Sequence, residues 1–232
     1  MLYKYETHSH TSETSRCSRI SGAELARFYK SLGYDGLFVT DHFFGGNTSV
    51  PYDLDWDERV RLFLAGYRAA KAEGDRIGLD VFPGWEYTLC GNDFLVYGLD
   101  EDWLLANPDQ MKLSIRDYMK KAREDGGLVI HAHPFREAGY IDMIRLIPRD
   151  VDGVEVNNAS MTDEVNRRAE WYAESYGLLR SAGSDNHYGQ RGKLSGVLLP
   201  ERLKTGADFV RLMKSGAAEL FSDRYDENGK RI

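Results

Sequence analysis

The six histidines of this 232-residue chain are the residues whose spacing most clearly suggests chemistry. They fall into four short clusters: His8 and His10, His42, His131 and His133, and His187. Three carboxylates, Glu86, Asp93 and Asp185, lie beside predicted strands, as the histidines do. Imidazole and carboxylate donors without thiolates suit Zn, Mn or Fe, and the oxygens are too few for calcium. These side chains therefore predict a site for divalent metal ions.

Each cluster taken alone also has an ordinary structural explanation. His8 and His10 lie two positions apart at the end of a predicted strand, which puts both rings on one face, as in a ligand pair or a packing pair. Thr40-Asp41-His42 follows an apolar stretch and is equally typical of a turn that caps the next helix. Asp41 is expected to orient His42 or another ligand rather than to bind metal itself.

The elements that must position these residues alternate between strand and helix. Segments rich in β-branched and aromatic residues predict strands at 2–7, 36–40, 80–85, 94–99, 127–131, 153–157, 178–182 and 194–199. Amphipathic stretches predict helices at 21–32, 57–73, 114–124, 163–176 and 207–215. Ser21 and Glu24 form a capping box at the start of the first helix. The alternation predicts an α/β fold with a mostly parallel sheet.

Eight strands, several followed by helices, favour a single-domain, distorted TIM-like (β/α)7 barrel rather than a doubly wound open sheet. The link between the third and fourth strands is too short for a helix, which makes the barrel irregular. No glycine-rich nucleotide-binding sequence follows any predicted strand, which weakens the open-sheet alternative. The domain is predicted to span residues 1–222, with a polar C-terminal tail at 223–232 that frays.

Every histidine then lies at the C-terminal end of a predicted strand or in the turn just beyond it, with Asp or Glu nearby. In a parallel barrel those strand ends share one face, which is the face where active sites are built. Packing histidines would instead scatter over the helices and both ends of the barrel. The joint placement therefore favours a metal site over coincidence.

The number of candidate ligands exceeds the need of one ion. Roughly seven or eight ligands, at three or four for each ion, imply two or three ions, and the two oxygens of Glu86 can bridge a pair. Ions about 3.5–4 Å apart can hold and deprotonate a shared water and bind a phosphoryl oxygen. We therefore expect phosphoester hydrolysis by a metal-bridging hydroxide.

Composition excludes several classes of protein. Thirty basic against thirty-seven acidic residues give a net charge of -7, which is a poor match to duplex nucleic acid. With 42% hydrophobic and 29% charged residues the chain is expected to be a soluble globular protein. It has no apolar run of about 20 residues and no secretory leader pattern, so we expect a cytoplasmic location and no membrane contact. Cys17 and Cys90 lie outside any CxxC motif and are expected to be free thiols.

Five short motifs follow one another along residues 5–190. They are His8-Ser9-His10-Thr11, Thr40-Asp41-His42, Gly84-Trp85-Glu86, Ala132-His133-Pro134 and Ser184-Asp185-Asn186-His187. In this order they resemble the signature of the polymerase and histidinol phosphatase (PHP) superfamily. The resemblance implies a distorted (β/α)7 barrel with a di- or trinuclear metal centre for phosphoester hydrolysis. It also implies the ligand sets: His8, His10, Glu86 and Asp185 for a first ion, His42 and His187 for a second, and Glu86 and His133 for a third.

Two positions depart from the pattern of the superfamily. Many members have an Asp or His ligand a few residues after the first motif, where this chain reads Thr14-Ser15-Arg16-Cys17. Glu13 is one substitute ligand, and the alternative is that Arg16 meets the substrate phosphate. Asp93 stands where a further histidine is usual, and a carboxylate can bind the same metals.

Several other residues are candidates for substrate binding or proton transfer. Arg136 follows His133 by three positions and can bind phosphate through two hydrogen bonds, unless it pairs with an acidic neighbour. Further candidates for the phosphate are Arg16, Arg19, Arg191 and Lys193. His131 is a candidate general acid, an extra ligand or a core residue, and Asp185 is expected to be essential for catalysis. Glu155 and Asn157 are expected to fill the barrel interior or to orient ligands.

The sequence therefore predicts a metal-dependent phosphoesterase with two or three divalent ions, acting on a small phosphorylated metabolite or nucleotide. Two alternatives stay open. One is a catalytically idle metal-binding module with a structural or partner-binding role. The other is the same centre acting on an amide or another ester.

Overall fold

The computed structural model describes residues 1–190 and 192–232, in which the chain forms nine strands and seven helices. The strands are β1 (Tyr3–Glu6), β2 (Gly36–Val39), β3 (Asp80–Leu89), β4 (Asn92–Tyr97), β5 (Leu128–Ala132), β6 (Gly153–Asn158), β7 (Leu179–Gly183), β8 (Lys193–Leu199) and β9 (Glu219–Arg224). The helices are α1 (Gly22–Ser31), α2 (Trp56–Phe63), α3 (Ala65–Ile77), α4 (Glu101–Ala106), α5 (Ile115–Glu124), α6 (Asp163–Tyr176) and α7 (Gly206–Lys214). The helix predicted at 57–73 is thus two helices, α2 and α3, and α4 is additional. Across these two stretches of chain, no helix is both long and apolar enough to cross a membrane.

The strands form one sheet in the order β7-β6-β5-β4-β3-β2-β1-β8-β9, which curls into a nearly closed barrel. The ends of β1 and β7 meet: His10 N donates to Asn186 O at 3.0 Å, and Asn186 N donates to His8 O at 3.3 Å. Strands β1 to β7 therefore surround the barrel interior. This arrangement confirms the predicted distorted TIM-like α/β barrel.

Strand β4 distorts the barrel, because it runs antiparallel to both of its neighbours, β3 and β5. Cys90 and Gly91 form the turn between β3 and β4, with φ angles of 51° and 75°. Two positive φ angles are typical of the two-residue turns that join antiparallel strands. The reversal brings the start of β4, with Asp93, to the end of the barrel at which the parallel strands finish.

The barrel interior is apolar at one end and polar at the other. Phe209 of α7 packs on Phe38 and Tyr97, with ring centroids 4.5 and 5.0 Å apart. The hydroxyl of Tyr97 donates to Thr7 O at 2.9 Å, which marks the border with the polar end. Helix α7 therefore closes the N-terminal end of the parallel strands, and the candidate ligands occupy the opposite end.

The end of the chain adds a hairpin to the barrel. Strand β8 pairs antiparallel with β1, and β9 pairs with β8. Strand β9, for which the sequence analysis has no counterpart, crosses the boundary placed at residue 222. Lys4 Nζ lies 2.6 Å from both Asp223 Oδ2 and Tyr225 OH, so this segment packs against β1.

Gly66 lets α3 approach the loop that follows β1. A Cβ atom at Gly66 would lie 1.8 Å from Thr11 Oγ1 and 2.9 Å from Asp41 Oδ2. Only glycine leaves that space, because any side chain here would displace Thr11 or Asp41. Both of these residues support the candidate site described next.

Candidate metal centre

Five of the six histidines converge at the C-terminal end of the barrel, together with Glu86 and Asp185. His8 and His10 follow β1, His42 follows β2, Glu86 lies in β3, His133 follows β5, and Asp185 and His187 follow β7. His8 and His10 are fully buried, and Glu86 and Asp185 are 1% and 6% exposed. Seven predicted ligands therefore form one buried cluster.

The two carboxylates lie at the centre of this cluster. Glu86 Oε1 is 3.3 Å from His8 Nε2 and 3.1 Å from His133 Nε2. Asp185 Oδ1 is 3.5 Å from His8 Nε2 and 3.3 Å from His10 Nε2. Ligand atoms at about 2.1 Å from a tetrahedral zinc ion are about 3.4 Å from one another. The donor atoms are therefore spaced as ligands around an ion.

Three sets of side chains have ligand atoms that all lie within 4.8 Å of one another. They are His8, His10 and Asp185; His10, His42 and His187; and His8, Glu86 and His133. These sets follow the division that the resemblance implies with three differences. His10 also joins the second set, His8 also joins the third, and Glu86 is absent from the first. Each set has the donors to hold one ion.

Buried polar atoms without partners indicate that the cluster fits a cation. His8 Nε2 and His10 Nε2 are buried and make no hydrogen bond with the described residues. The opposite ring nitrogens are engaged, because His8 Nδ1 lies 2.9 Å from Glu155 Oε1 and His10 Nδ1 lies 3.2 Å from Ser15 Oγ. An Nδ1–H that donates in this way leaves the Nε2 lone pair for a metal ion. A divalent cation would satisfy the atoms that the chain leaves unpaired.

Charges within the cluster keep the carboxylates ionised. Burial would raise the pKa of Glu86, but the charges of His42 and His8 outweigh burial and hold that pKa well below its usual range. Burial of Asp185 is outweighed by the charge of His8 and by the nearby His10 ring, so the pKa of Asp185 is also held well below its usual range. Both carboxylates are therefore charged at pH 7, and that is the form that binds a cation.

Asp41 supports the segment after β1 instead of joining the three sets. Its carboxylate accepts hydrogen bonds at 2.6 Å from Thr11 N, Thr11 Oγ1 and Ser15 Oγ. Ser15 Oγ in turn accepts from His42 N at 3.0 Å and lies beside His10 Nδ1. Burial raises the pKa of Asp41 to about 6, against the effect of the Ser15 and Thr11 hydrogen bonds. Asp41 therefore positions His10 and His42 through Ser15.

The backbone is strained where two of the ligands lie. His133 and Asp185 have φ angles of 26° and 54°. Non-glycine residues seldom adopt positive φ, and such strain is concentrated at functional sites. Just before Asp185, a Cβ atom at Gly183 would lie 2.5 Å from His8 Cβ and 2.7 Å from Glu155 Oε1. The end of β7 is thus shaped by the close approach of the ligands.

No sequence-family model matches the chain, and a search of curated proteins by sequence finds no match. Solved structures do match. A two-domain protein from Bacteroides vulgatus ATCC 8482, which contains a predicted PHP-like metal-dependent phosphoesterase, has a TM-score of 0.67 and 16% identity. The match covers 95% of this chain and 65% of that protein, so this chain spans less than two thirds of its length. The chain shares the fold of the matched part of that protein.

Other solved structures share this fold. A putative metal-dependent phosphoesterase from Bifidobacterium adolescentis ATCC 15703 has a TM-score of 0.58 and 16% identity, over 98% of this chain and 99% of that one. An amidohydrolase from Chromobacterium violaceum, with bound sulfate and no metal, has a TM-score of 0.56 and 17% identity. That match covers 80% of this chain and 88% of the other. At these identities the likeness shows the fold alone.

Glu155 orients two of the candidate ligands. It accepts from His133 N at 3.2 Å and from Asn158 Nδ2 at 2.9 Å, and its other oxygen faces His8 Nδ1. Its charge therefore fixes the His8 ring and makes that ring a better ligand. The sequence predicted either this role or that of a residue that fills the barrel interior.

Glu155→Gln is expected to weaken metal binding about 10–100-fold, as is usual when a partner of a metal-binding histidine is lost. Glutamine keeps the shape of the side chain but not its charge. Titration of the metal-free protein against a chromophoric chelator measures the affinity. Glu174→Gln on the exposed face of α6 is the matched control and should leave the affinity unchanged. Equal affinity in the two variants would contradict the orienting role.

His131 is apart from the cluster, which corrects its predicted role as general acid. Its ring stacks on Phe94 at a centroid distance of 4.7 Å and meets the edge of Tyr172 at 5.9 Å. Burial, together with the charge of His133, lowers the pKa of His131 to about 3. A neutral ring held between the sheet and α6 is a core residue. The positive φ of His133 turns the chain, so the two rings diverge despite their spacing.

Arg136, predicted to bind phosphate, lies at the edge of the cluster. Its Nη1 lies 4.0 Å from Asp185 Oδ2, and its side chain is 31% exposed. It lines an open cavity of about 1030 Å³ together with His42, Asp185 and His187. The cavity therefore connects the candidate ligands with solvent.

The other basic candidates are placed less favourably. Arg16 and Arg19 are exposed and are not among the described residues that line the cavity. Arg19 Nη1 instead donates to the backbone oxygen of Arg16 at 2.8 Å. Lys193 lines the cavity but pairs with Asp163 at 3.1 Å, and Arg191 lies outside the described residues.

The two departures from the superfamily pattern have different outcomes. Asp93 Oδ2 lies 4.0 Å from His133 Nε2, and its Oδ1 accepts from Thr88 Oγ1 at 2.6 Å, so Asp93 borders the third set without belonging to it. Glu13 does not supply the missing ligand, because its carboxylate accepts from Gly22 N at 3.1 Å. Cys17 lies beside the second set instead. The sequence signal for Cys17 is its position in the segment that lacks the usual ligand of the superfamily.

Proposed function

We propose that this chain is a metal-dependent phosphoesterase that hydrolyses a small phosphorylated metabolite or nucleotide. The main support is the cluster of buried imidazole and carboxylate atoms without partners, which opens into a cavity bordered by an arginine. Two neighbours with the PHP-like fold are named as metal-dependent phosphoesterases, which supports the same reaction class. Bound divalent ions would activate a water molecule and neutralise charge on the phosphoryl oxygens.

Glu86 is suited to connect neighbouring ions. Its Oε1 faces His8 and His133, whereas its Oε2 lies 2.6 Å from His42 Nδ1. The two oxygens of one carboxylate therefore point to different histidine sets. With metal bound, Glu86 would offer one oxygen beside His8 and His133 and the other beside His42, and so would contribute to holding two ions.

Arg136 is suited to bind the phosphoryl group. Asp185 lies 4.0 Å from its guanidinium, and the ring of Tyr140 lies 5.8 Å away on the solvent side. These neighbours aim the guanidinium at the space above the ligands, where it can donate two hydrogen bonds to phosphate oxygens. The same donors would stabilise negative charge that develops during phosphoryl transfer.

The cavity indicates the size of the substrate and the source of the proton that the leaving group takes up. Its volume of about 1030 Å³ is much larger than a phosphate ion needs, so an organic group would occupy the remainder. Because His131 is packed away from the cavity, we propose that solvent water protonates the leaving alkoxide. Replacement of His131 should then leave the pH profile of the reaction unchanged.

A substrate panel tests this proposal. The protein is loaded in turn with zinc, manganese and iron(II) and assayed with an aryl phosphate monoester, an aryl phosphodiester, an aryl acetate and an anilide. Hydrolysis of a phosphate ester, lost with a chelator and restored by metal, is the expected result. Turnover of the anilide or the acetate alone would contradict the phosphoesterase assignment. Bound metal without any turnover would favour the catalytically idle module.

A further inference from the structure

Cys17 faces the metal cluster, and no function has been given to it so far. Its Sγ lies 3.2 Å from His42 Nε2, and the side chain lines the cavity beside His42 and His187. Cys17 is half-buried, whereas Cys90 is exposed on the turn between β3 and β4. The two cysteines therefore have different surroundings, and only the first is close to the candidate ligands.

The segment that carries Cys17 is fixed to the second histidine set. Ser18 Oγ lies 3.1 Å from His10 O and 3.0 Å from His187 O. Arg19 N donates to His187 O at 2.8 Å. The sulfur therefore lies on backbone that is tied to two of the histidines.

His10 gives an independent sign that a ligand binds at this point. Its Nε2 is buried and has no hydrogen-bond partner among the residues that the structure describes. The His10 ring is 4.4 Å from the ring of His42 and 4.1 Å from that of His187, measured between centroids. The ligand nitrogens of all three lie within 4.8 Å of one another. Three imidazoles therefore surround the same space, and the sulfur lies beside one of them, His42.

We propose that Cys17 Sγ, as a thiolate, binds the ion that His42 and His187 hold. Glu13 is engaged at the start of α1 and Arg16 is exposed, so neither completes this set. On binding, the sulfur–metal bond forms and the thiol proton passes to solvent. The inference rests on the proposed metal-dependent function and adds a sulfur ligand to it.

A sulfur ligand changes which metals this position takes. Thiolate selects zinc over manganese or magnesium, and mixed sulfur and nitrogen ligands are common for zinc. The first and third sets offer only nitrogen and oxygen donors. One position of the centre would therefore retain zinc in the presence of excess manganese, while the others exchange.

Cobalt(II) can report the sulfur ligand directly. Metal-free wild-type, Cys17→Ser and Cys90→Ser proteins are titrated with cobalt and followed by absorption. Wild-type and Cys90→Ser should show ligand-field bands and a sulfur-to-cobalt charge-transfer band, and Cys17→Ser should keep the first and lose the second. A charge-transfer band that survives in Cys17→Ser, or is absent beside normal ligand-field bands in wild-type, overturns the assignment of Cys17 alone. Absence of all bands in wild-type contradicts the proposed function as well.

Alkylation of the wild-type protein provides a test that needs no variant. Zinc at 100 times its dissociation constant should slow the reaction of Cys17 with iodoacetamide about 100-fold. Cys90 in the same molecule should react at an unchanged rate and so serves as the control. Zinc that binds without slowing Cys17 overturns the inference, and so does equal slowing at both cysteines.

Discussion

Asp185→Asn is expected to lower kcat/KM for phosphate-ester hydrolysis about 10²–10⁴-fold, equivalent to about 3–5 kcal/mol. Asp185 Oδ1 lies 3.5 Å from His8 Nε2 and 3.3 Å from His10 Nε2, and Oδ2 lies 4.0 Å from Arg136 Nη1. The variant removes the negative charge that these groups share. Asparagine also tolerates the φ angle of 54° at this position, so the backbone should be preserved.

Asp75→Asn is the matched control for that result. Asp75 pairs with Lys71 at 2.6 Å on the exposed face of α3 and belongs to none of the three sets. Its activity and metal content should equal those of wild-type. Metal analysis of Asp185→Asn should show fewer bound ions per chain. Activity of Asp185→Asn within twofold of wild-type would contradict the role of Asp185.

Removal of metal is expected to lower the melting temperature by about 8–16 °C relative to protein with metal at 1,000 times its dissociation constant. Binding to the folded state alone contributes about 4 kcal/mol at that excess. Chelation would leave His8 Nε2 and His10 Nε2 buried without hydrogen-bond partners. The chain itself should still fold, since its apolar core surrounds the barrel away from the cluster.

Calorimetry of chelated and metal-loaded protein measures this shift. The double variant His8→Ala, Asp185→Asn lacks two ligands of the first set and should gain much less from added metal. Identical melting temperatures for chelated and loaded wild-type would contradict metal binding to the cluster. An equal shift in the double variant would place the metal elsewhere on the protein.

The positions of strand ends explain why much of the site could be predicted from the sequence. In a barrel of parallel strands, the polar residues at the ends of the strands meet at one end of the barrel, so His8, His42, Glu86 and Asp185 could be grouped without knowing the packing. The short link between the third and fourth predicted strands indicated an irregular barrel, and the antiparallel course of β4 is that irregularity. The strand patterns therefore predict both the fold and the main cluster of candidate ligands.

Three features depend on contacts that no local pattern reports. His131 and His133 have strand spacing, but the φ of 26° at His133 sends their rings to different layers. Strand β9 is half exposed and has no apolar run, since its pairing with β8 is what orders it. Cys17 looked like an ordinary free thiol because its neighbour His42 is distant in sequence. Each of these was decided by tertiary packing rather than by periodicity.

The most direct test of the account is anomalous diffraction from a crystal grown with zinc or manganese. We expect anomalous peaks inside the cluster, with one within about 2.0–2.2 Å of His8 Nε2, His10 Nε2 and an oxygen of Asp185. Peaks confined to the protein surface, or none in a crystal whose metal content is verified, would contradict the central claim that these residues form a metal centre.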